Sequence, residues 1–130
     1  MNKYAATGIL IDAYEGKRFV IVERDGRAVQ QALRVFADTV EHLGEAERVT
    51  IRRANGDERV DVRGLGRGTI RFATPRGQRL RGLSVDVVFI DNEAHRVLES
   101  DGVLDFDRYN AFREDVAVAL SGSGGKVVHS

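Results

Sequence analysis

The chain has 130 residues, of which 42% are hydrophobic, so it is long enough for one domain with a packed core and too short for two ordinary domains. It contains no cysteine, which excludes a disulfide framework and a thiolate metal site. Its 20 basic and 20 acidic residues cancel to a formal net charge of zero. No apolar run is long enough to cross a membrane, and the first residues lack the apolar core of a secretion signal. We therefore expect a soluble protein of the cytoplasm.

The first third of the sequence predicts a helix, a strand and a second helix. A short helix over residues 4–15 stops at Gly16, and the apolar run of KRFVIVE predicts a buried strand that ends at Glu23. Asp25 is placed to cap the helix that follows. The apolar residues of that helix recur at spacings of four and three, which predicts one buried stripe of Val29, Leu33, Phe36, Val40 and Leu43.

The pattern changes to a period of two in the middle of the chain. Alternating residues on either side of Asn55-Gly56 predict an antiparallel hairpin over about 48–63, and GLGRG at 64–68 predicts a turn before the strand TIRFAT. PRGQRLRG at 75–82 is a basic loop that leads into a buried strand ending at Asp91. A last amphipathic helix is predicted to begin at the cap residue Asp105. The flexible connector 121–125 then separates it from a terminal KVVH strand.

The alternation of apolar strands with amphipathic helices predicts a single α/β domain over residues 1–130. Its sheet is expected to be mostly parallel and flanked by helices, with the hairpin as an antiparallel insertion. In such sheets ligands bind beyond the carboxyl ends of the strands. Glu23 and Asp91 both follow buried strands, so they mark the edge where a site is expected.

The charges are unevenly distributed along the chain. Residues 48–82 hold ten arginines and three acids, a net charge of +7, whereas residues 83–130 hold four bases and nine acids, a net charge of −5. The basic segment could form a face for the phosphates of nucleic acid, and the alternative is an ordinary solvated surface. The candidate nucleic-acid-binding residues are Arg67, Arg71, Arg76, Arg79 and Arg81.

Two stretches, RRANGDERVDV and GTIRFATPRGQRLRGLSVDVVFIDNEA, resemble the ATPase core of phage large terminase subunits and, more loosely, helicase cores. The resemblance covers roughly residues 5–95 and implies part of a P-loop NTPase core. In that family a Walker B acid at the end of a strand holds Mg²⁺ and the next acid polarises the attacking water. The resemblance implies the first role for Asp91, while Asn92 stands in the second position and Glu93 follows one place late.

A phosphate loop needs glycines that wrap the phosphates, a lysine that reaches them, and a serine or threonine that shares the metal. The nearest pattern, SGSGGKVV, has Val127 after Lys126 and runs from a helix to a strand rather than from a strand to a helix. The resemblance therefore implies an ATPase-like domain that is inactive alone and has no cofactor of its own. Mg-ATP would bind only if a partner supplied the phosphate loop.

Metal chemistry has one candidate in the sequence. On an extended chain Asp91 and Glu93 would point to the same side and could form a weak Mg²⁺ site, and the alternative is that Asp91 only caps the next turn. The three histidines, His42, His95 and His129, are too scattered to suggest metal-ligand spacing.

Three functions remain open at this point. The first is a non-hydrolysing accessory or DNA-binding factor in viral DNA processing, which would act in the cytoplasm of the bacterial host if a phage encodes it. The second is half of a split ATPase that another chain completes. The third is a non-enzymatic interaction module for a phage or host protein, because a fold does not fix a function. The sequence indicates no oligomeric state.

Overall fold

The computed structural model of this chain describes residues 1–54, 57–75, 84–94, 96, 116 and 125–129. Within these residues the chain forms an α/β domain in which helices pack against one mixed sheet. A short 3-10 helix, Ala46–Arg48, precedes the second strand. The elements are α1 (Lys3–Tyr14), β1 (Arg18–Val22), α2 (Gly26–Leu43), β2 (Val49–Arg52), β3 (Arg59–Arg63), β4 (Arg67–Ala73), β5 (Val87–Ile90) and β6 (Lys126–His129).

The sheet has six strands in the order β2-β3-β4-β1-β5-β6. The strand β1 is parallel to β4 on one side and to β5 on the other, and β6 is parallel to β5. The strands β2, β3 and β4 pair antiparallel. This arrangement confirms the predicted mostly parallel sheet with an antiparallel hairpin. Because β1 lies inside the sheet, its residues 19–22 are all buried, as their unbroken apolar run predicts.

Both faces of the central strands are covered. On one face, α1 and α2 pack on the sheet, and the rings of Phe36 and Phe72 meet edge to face with centroids 5.9 Å apart. On the other face, Val20 and Val88 belong to a second apolar cluster that includes Val116. Val116 is helical and buried, as the predicted last helix requires, whereas Asp105 and the rest of that helix lie outside the described residues.

Local capping follows the sequence closely. The Asp25 carboxylate accepts a hydrogen bond of 2.9 Å from the backbone N–H of Ala28 at the start of α2, as predicted. Gly16 follows α1 with a φ of 103°, and Gly44 ends α2 with a φ of 71°. Both values lie in the left-handed region that glycine adopts at low cost.

The predicted buried stripe of α2 is correct except at its end. Val29, Leu33, Phe36 and Val40 are buried, but Leu43 is 46% exposed. Leu43 lies in the last helical turn and lines an open apolar groove of about 260 Å³ that α1 and β2 also border. The prediction for Leu43 is wrong because helical periodicity does not show where the surface beneath the helix ends.

The hairpin has the predicted pairing but different limits. The strands pair up to Arg52 opposite Arg59, and the backbone N–H of Asp57 donates to the carbonyl oxygen of Ala54 at 2.9 Å. Asn55 and Gly56 themselves lie outside the described residues.

The assignment of all of GLGRG to a turn is wrong, because β4 already begins at Arg67. Gly68 lies in that strand directly against α1, where a Cβ atom would overlap the carbonyl group of Ala13. This glycine is therefore required by close packing of a helix on a strand rather than by a turn.

Among the described helices, none is long and apolar enough to cross a membrane.

Candidate functional site

The carboxyl ends of β1 and β5 lie side by side and bring two acidic residues together. Val22 pairs with Ile90, so the next residues along the two strands, Glu23 and Asp91, are neighbours at the same edge. The backbone N–H of Asp91 donates to the carbonyl oxygen of Val22 at 3.0 Å. Adjacent strands are about 4.8 Å apart, so the two carboxylates are close enough to repel each other.

Glu23 is an unusual residue for a buried position. It is only 3% exposed, and its Oε1 atom has no hydrogen-bond partner among the described residues. Burial and then the negative charge of Asp91 raise the pKa of Glu23 from 4.5 to about 7, while the nearby N-terminal amino group and Arg24 oppose the shift. Glu23 therefore pays a free-energy cost when it is ionised, and a cation placed beside it would reduce that cost.

Asp91 is partly exposed and makes a capping interaction. Its Oδ2 atom accepts a hydrogen bond of 3.0 Å from the backbone N–H of Glu93, and residues 92–94 are helical. The predicted pairing of Asp91 with Glu93 assumes that the chain continues in an extended conformation after Asp91. The helical turn shows that this assumption is wrong. The Glu93 carboxylate instead forms an ion pair of 3.2 Å with Arg96. The cap uses one carboxylate oxygen of Asp91, so capping and cation binding are compatible.

These residues border a cavity of about 470 Å³ at the carboxyl edge of the sheet. Its lining combines acidic, basic and uncharged residues, and it includes Glu23, Asp91, Glu93, Arg24, Met1, and Gln31 and Val35 of α2. No group of three or more histidines or carboxylates that could hold a metal ion occurs in the part of the chain that the structure describes.

The second candidate surface lies on β2, β3 and β4, on the face opposite to α1 and α2. Residues alternate between faces along a strand, and the valines of β3 face the helices, so its arginines face away. Arg59 pairs with Arg52 of β2 on one side and with Arg71 of β4 on the other. In the same way Arg63 pairs with Arg67. We call this surface the arginine face, and its arginines are Arg52, Arg59, Arg63, Arg67 and Arg71.

Acidic neighbours neutralise only part of the arginine face. Arg59 forms an ion pair of 3.2 Å with Asp61, and Arg71 lies 4.0 Å from Asp57. Five arginines and two aspartates leave a net charge of +3. Arg52 and Arg67 are exposed, and neither forms an ion pair with a carboxylate within the described ranges. The surface is thus positively charged and polar, with guanidinium groups that can bind phosphate oxygens in a bidentate manner.

The sequence located part of these two sites. It named Arg67 and Arg71 of the arginine face but not Arg52, Arg59 and Arg63, although the alternation in β2 and β3 was a usable signal. Glu23 was identified as the end of a strand, and nothing in the sequence shows that its carboxylate lacks a partner.

The three candidate arginines of the basic loop lie outside the described residues. They are Arg76, Arg79 and Arg81. Of the three histidines, His95 also lies outside them.

Neither a protein-family model nor a curated protein matches this sequence. Solved structures of phage large terminases do share its fold. The large terminase ATPase domain of Thermus phage P74-26 matches with a TM-score of 0.67 at 18% identity, over 96% of this chain and 52% of that domain. An arginine-to-alanine mutant of the same domain matches with a TM-score of 0.66 at 18% identity, over 97% and 53% of the two chains.

The large terminase of another thermophilic bacteriophage matches with a TM-score of 0.58 at 11% identity, over 95% of this chain and 29% of that protein. The chain therefore spans about half the length of the terminase ATPase domain that it matches. The six-stranded mixed sheet and its flanking helices share the α/β fold of part of the phage large terminase ATPase domain, and they resemble a partial P-loop NTPase core.

Proposed function

We propose that this chain is a terminase-fold accessory domain that binds nucleic acid through the arginine face and does not hydrolyse nucleotide by itself. The proposal places it in viral DNA processing in the cytoplasm of a bacterial host. The observation that carries it is the row of arginines across β2, β3 and β4, with its net charge of +3. Solved structures with this fold include ATPase domains of phage terminases, which supports a role in DNA processing.

The chemistry of the arginine face favours binding to the nucleic-acid backbone rather than to particular bases. Its polar groups lie on the strands β3 and β4, and among the described residues this face presents arginines of the sheet rather than a helix that could enter a groove. Binding of this kind is dominated by the release of counterions from phosphates. We therefore expect affinity for DNA that depends weakly on sequence and strongly on salt.

The test compares two double variants with equal changes in charge. In the first, Arg67→Gln and Arg71→Gln remove two guanidinium groups from the arginine face; in the control, Arg27→Gln and Arg34→Gln remove two from α2. Each phosphate contact contributes about 0.9 to the slope of log affinity against log salt concentration. This slope should therefore be shallower by about 1.8 in the first variant than in the wild type. The control should keep the wild-type slope. Equal slopes in the two variants would exclude the arginine face from binding.

The basic loop is a separate part of the same proposal. If Arg76, Arg79 and Arg81 each contact a phosphate, replacing all three by alanine should reduce the slope of log affinity against log salt concentration by roughly 2 to 3 units. An unchanged slope would remove the loop from the binding surface. If the wild-type chain does not bind DNA even at low salt, the result would favour the third function, an interaction module whose partner is a phage or host protein.

The absence of hydrolysis is the second part of the proposal. Phosphoryl transfer depends on clamping the phosphates, and the sequence contains no glycine-rich loop with a lysine followed by serine or threonine. In addition, Asn92 has no carboxylate with which to polarise a water molecule. The purified chain should therefore show no ATPase activity above background. Turnover that Asp91→Asn abolishes would contradict this.

One observation supports a second candidate, half of a split ATPase. The cavity beside Glu23 and Asp91 lies at the carboxyl edge of parallel strands, where sheets of this class bind their ligands. A second chain with a phosphate loop would then bring Mg-ATP to this edge. Adding such a chain should produce ATP hydrolysis that depends on Asp91. No hydrolysis from the pair, although the two chains associate, would exclude this function.

A further inference from the structure

One pair of arginines on the arginine face has no carboxylate partner. Arg63 of β3 and Arg67 of β4 lie directly opposite each other, which places their Cβ atoms about 5 Å apart. Neither forms an ion pair within the described residues, and Arg63 donates from Nη2 to the backbone carbonyl oxygen of Glu47 at 3.3 Å. By contrast, Arg59 and Arg71 each have an aspartate within 4.0 Å. Like charges held opposite each other repel, so an anion bound between Arg63 and Arg67 would relieve that repulsion.

These two arginines border a polar cavity of about 360 Å³ that also contains hydroxyl groups. Thr50 of β2 and Thr69 of β4 line it, and in the sheet register they lie on either side of Asp61. Neither hydroxyl makes a hydrogen bond within the described residues, so both are available to a ligand. The cavity therefore combines two unpaired guanidinium groups with two hydroxyl donors from neighbouring strands.

The other charged residues of the cavity lining differ in how they affect an anion. Asp61 forms an ion pair of 3.2 Å with Arg59, and Arg48 forms one of 3.4 Å with Glu45, so these charges are already balanced. Glu47 is the one carboxylate of the lining that has no ion pair among the described residues, and its side chain is exposed. It opposes the binding of an anion, so its removal should strengthen that binding.

We propose that Arg63, Arg67 and the two threonine hydroxyls bind a phosphate monoester, which is the terminal phosphate of a nucleic-acid strand. A phosphate monoester carries about 1.5 to 2 negative charges at neutral pH, whereas each phosphodiester of the backbone carries about one. Two guanidinium groups match the larger charge, and together with the hydroxyls they offer donors to all three terminal oxygens. A terminal phosphate also projects from the strand and enters a cavity more easily than a phosphate flanked by sugars on both sides.

The inference rests on the proposed function, because it names the part of a nucleic acid that the arginine face recognises. Inorganic phosphate offers the same chemistry as a terminal phosphate, so the experiment must separate these two sources. It must also separate a terminal-phosphate site from general attraction between DNA and a positively charged surface.

The test compares the affinity of the purified chain for three single strands of one DNA sequence at constant salt and about pH 8. The strands carry a 5′ phosphate, a 3′ phosphate or no terminal phosphate. The wild type should bind at least one phosphate-ended strand about tenfold more tightly than the strand without one, which is the size of effect expected for one charge-assisted hydrogen bond. Inorganic phosphate should compete with that strand and reduce its advantage.

Single substitutions locate the preference. Arg63→Gln and Arg67→Gln should each remove most of it, and Thr69→Val should reduce it, whereas Glu47→Gln should increase affinity for the phosphate-ended strand. The matched control is Arg52→Gln, which removes one charge from the arginine face without changing the cavity lining. It should weaken binding of all three strands by the same factor. Circular dichroism checks that each variant folds, as expected for substitutions at exposed positions.

Equal affinity of the wild type for all three strands would overturn the terminal-phosphate site. The salt dependence of the Arg67 and Arg71 double variant would still test the proposed function, so the two ideas can fail separately. Equal loss of the preference in Arg52→Gln and Arg63→Gln would also overturn the site, because the preference would then follow total charge. If the wild type binds inorganic phosphate in calorimetry but no DNA strand at low salt, free phosphate is the ligand and the nucleic-acid assignment is wrong.

Discussion

The buried carboxylate of Glu23 should make the stability of this protein depend on pH in a way that one substitution removes. We expect Glu23→Gln to stabilise the chain above neutral pH. The glutamine has nearly the same shape and remains uncharged, so it avoids the cost of a buried negative charge. The charged groups that act on Glu23 are Asp91 and Asp25, which raise its pKa, and Arg24 and the N-terminal amino group, which lower it.

The magnitude follows from the pKa of Glu23, which rises from 4.5 to about 7 on folding. A pKa shift of this size corresponds to about 3 kcal/mol of folding free energy, because each pKa unit corresponds to about 1.36 kcal/mol. Because the folded-state pKa is the higher one, the folded chain binds the proton more tightly. The resulting stability is complete below about pH 4.5 and is lost as pH rises through about 7. Between about pH 5 and about pH 8 the loss amounts to about 2 to 3 kcal/mol. Glu23 is 3% exposed, so solvent screening does not reduce this figure much.

The assay is urea unfolding of the wild type and of Glu23→Gln across this pH range, with a chelator present to remove metal ions. The difference in unfolding free energy between the two proteins should grow by about 2 to 3 kcal/mol in favour of the variant as pH rises. Asp91→Asn should reduce the growth, because it removes one of the causes of the raised pKa. Glu41→Gln, at an exposed position of α2, is the matched control and should run parallel to the wild type. Parallel curves for Glu23→Gln and wild type would refute the reasoning.

Two further predictions concern the packing and the capping of the helices. Gly68→Ala should destabilise the chain by about 1 to 3 kcal/mol in thermal or urea unfolding, because its Cβ would overlap the carbonyl of Ala13. Gly8→Ala, where nothing lies within 4 Å in an exposed turn of α1, should instead stabilise it by up to about 1 kcal/mol, and equal effects at the two glycines would contradict the packing argument. Asp25→Ala should cost about 1 kcal/mol through loss of the cap to Ala28, whereas Asp25→Asn should retain most of it; equal losses in both would show that the cap contributes little.

Secondary structure and sheet class could be predicted because they depend on local patterns. The unbroken apolar run before Glu23 predicted a strand covered on both faces, and the change to alternating residues predicted the antiparallel hairpin, both of which the sheet contains. The cap at Asp25 was predictable for the same reason, since the hydrogen bond spans only three residues. The resemblance to terminase ATPase cores, read from short stretches of sequence, is matched by the fold.

Features that depend on where an element lies in the fold were not predictable in this way. Leu43 has the spacing of a core residue but lies where α2 extends over an open groove. GLGRG has the composition of a turn, yet Gly68 is the point of contact between β4 and α1. Periodicity describes one face of an element and carries no information on what covers that face.

What the sequence by itself determined is the order of the elements, the class of the sheet and the types of side chain available. It placed Glu23 and Asp91 at the ends of two strands that are far apart along the chain. Only the tertiary structure decided that these strands are neighbours, that Glu23 is buried without a partner among the described residues, and that arginines from three strands share one face. The physical reason is that charge and burial at a site depend on strand order and register, and these are set by long-range packing rather than by local sequence.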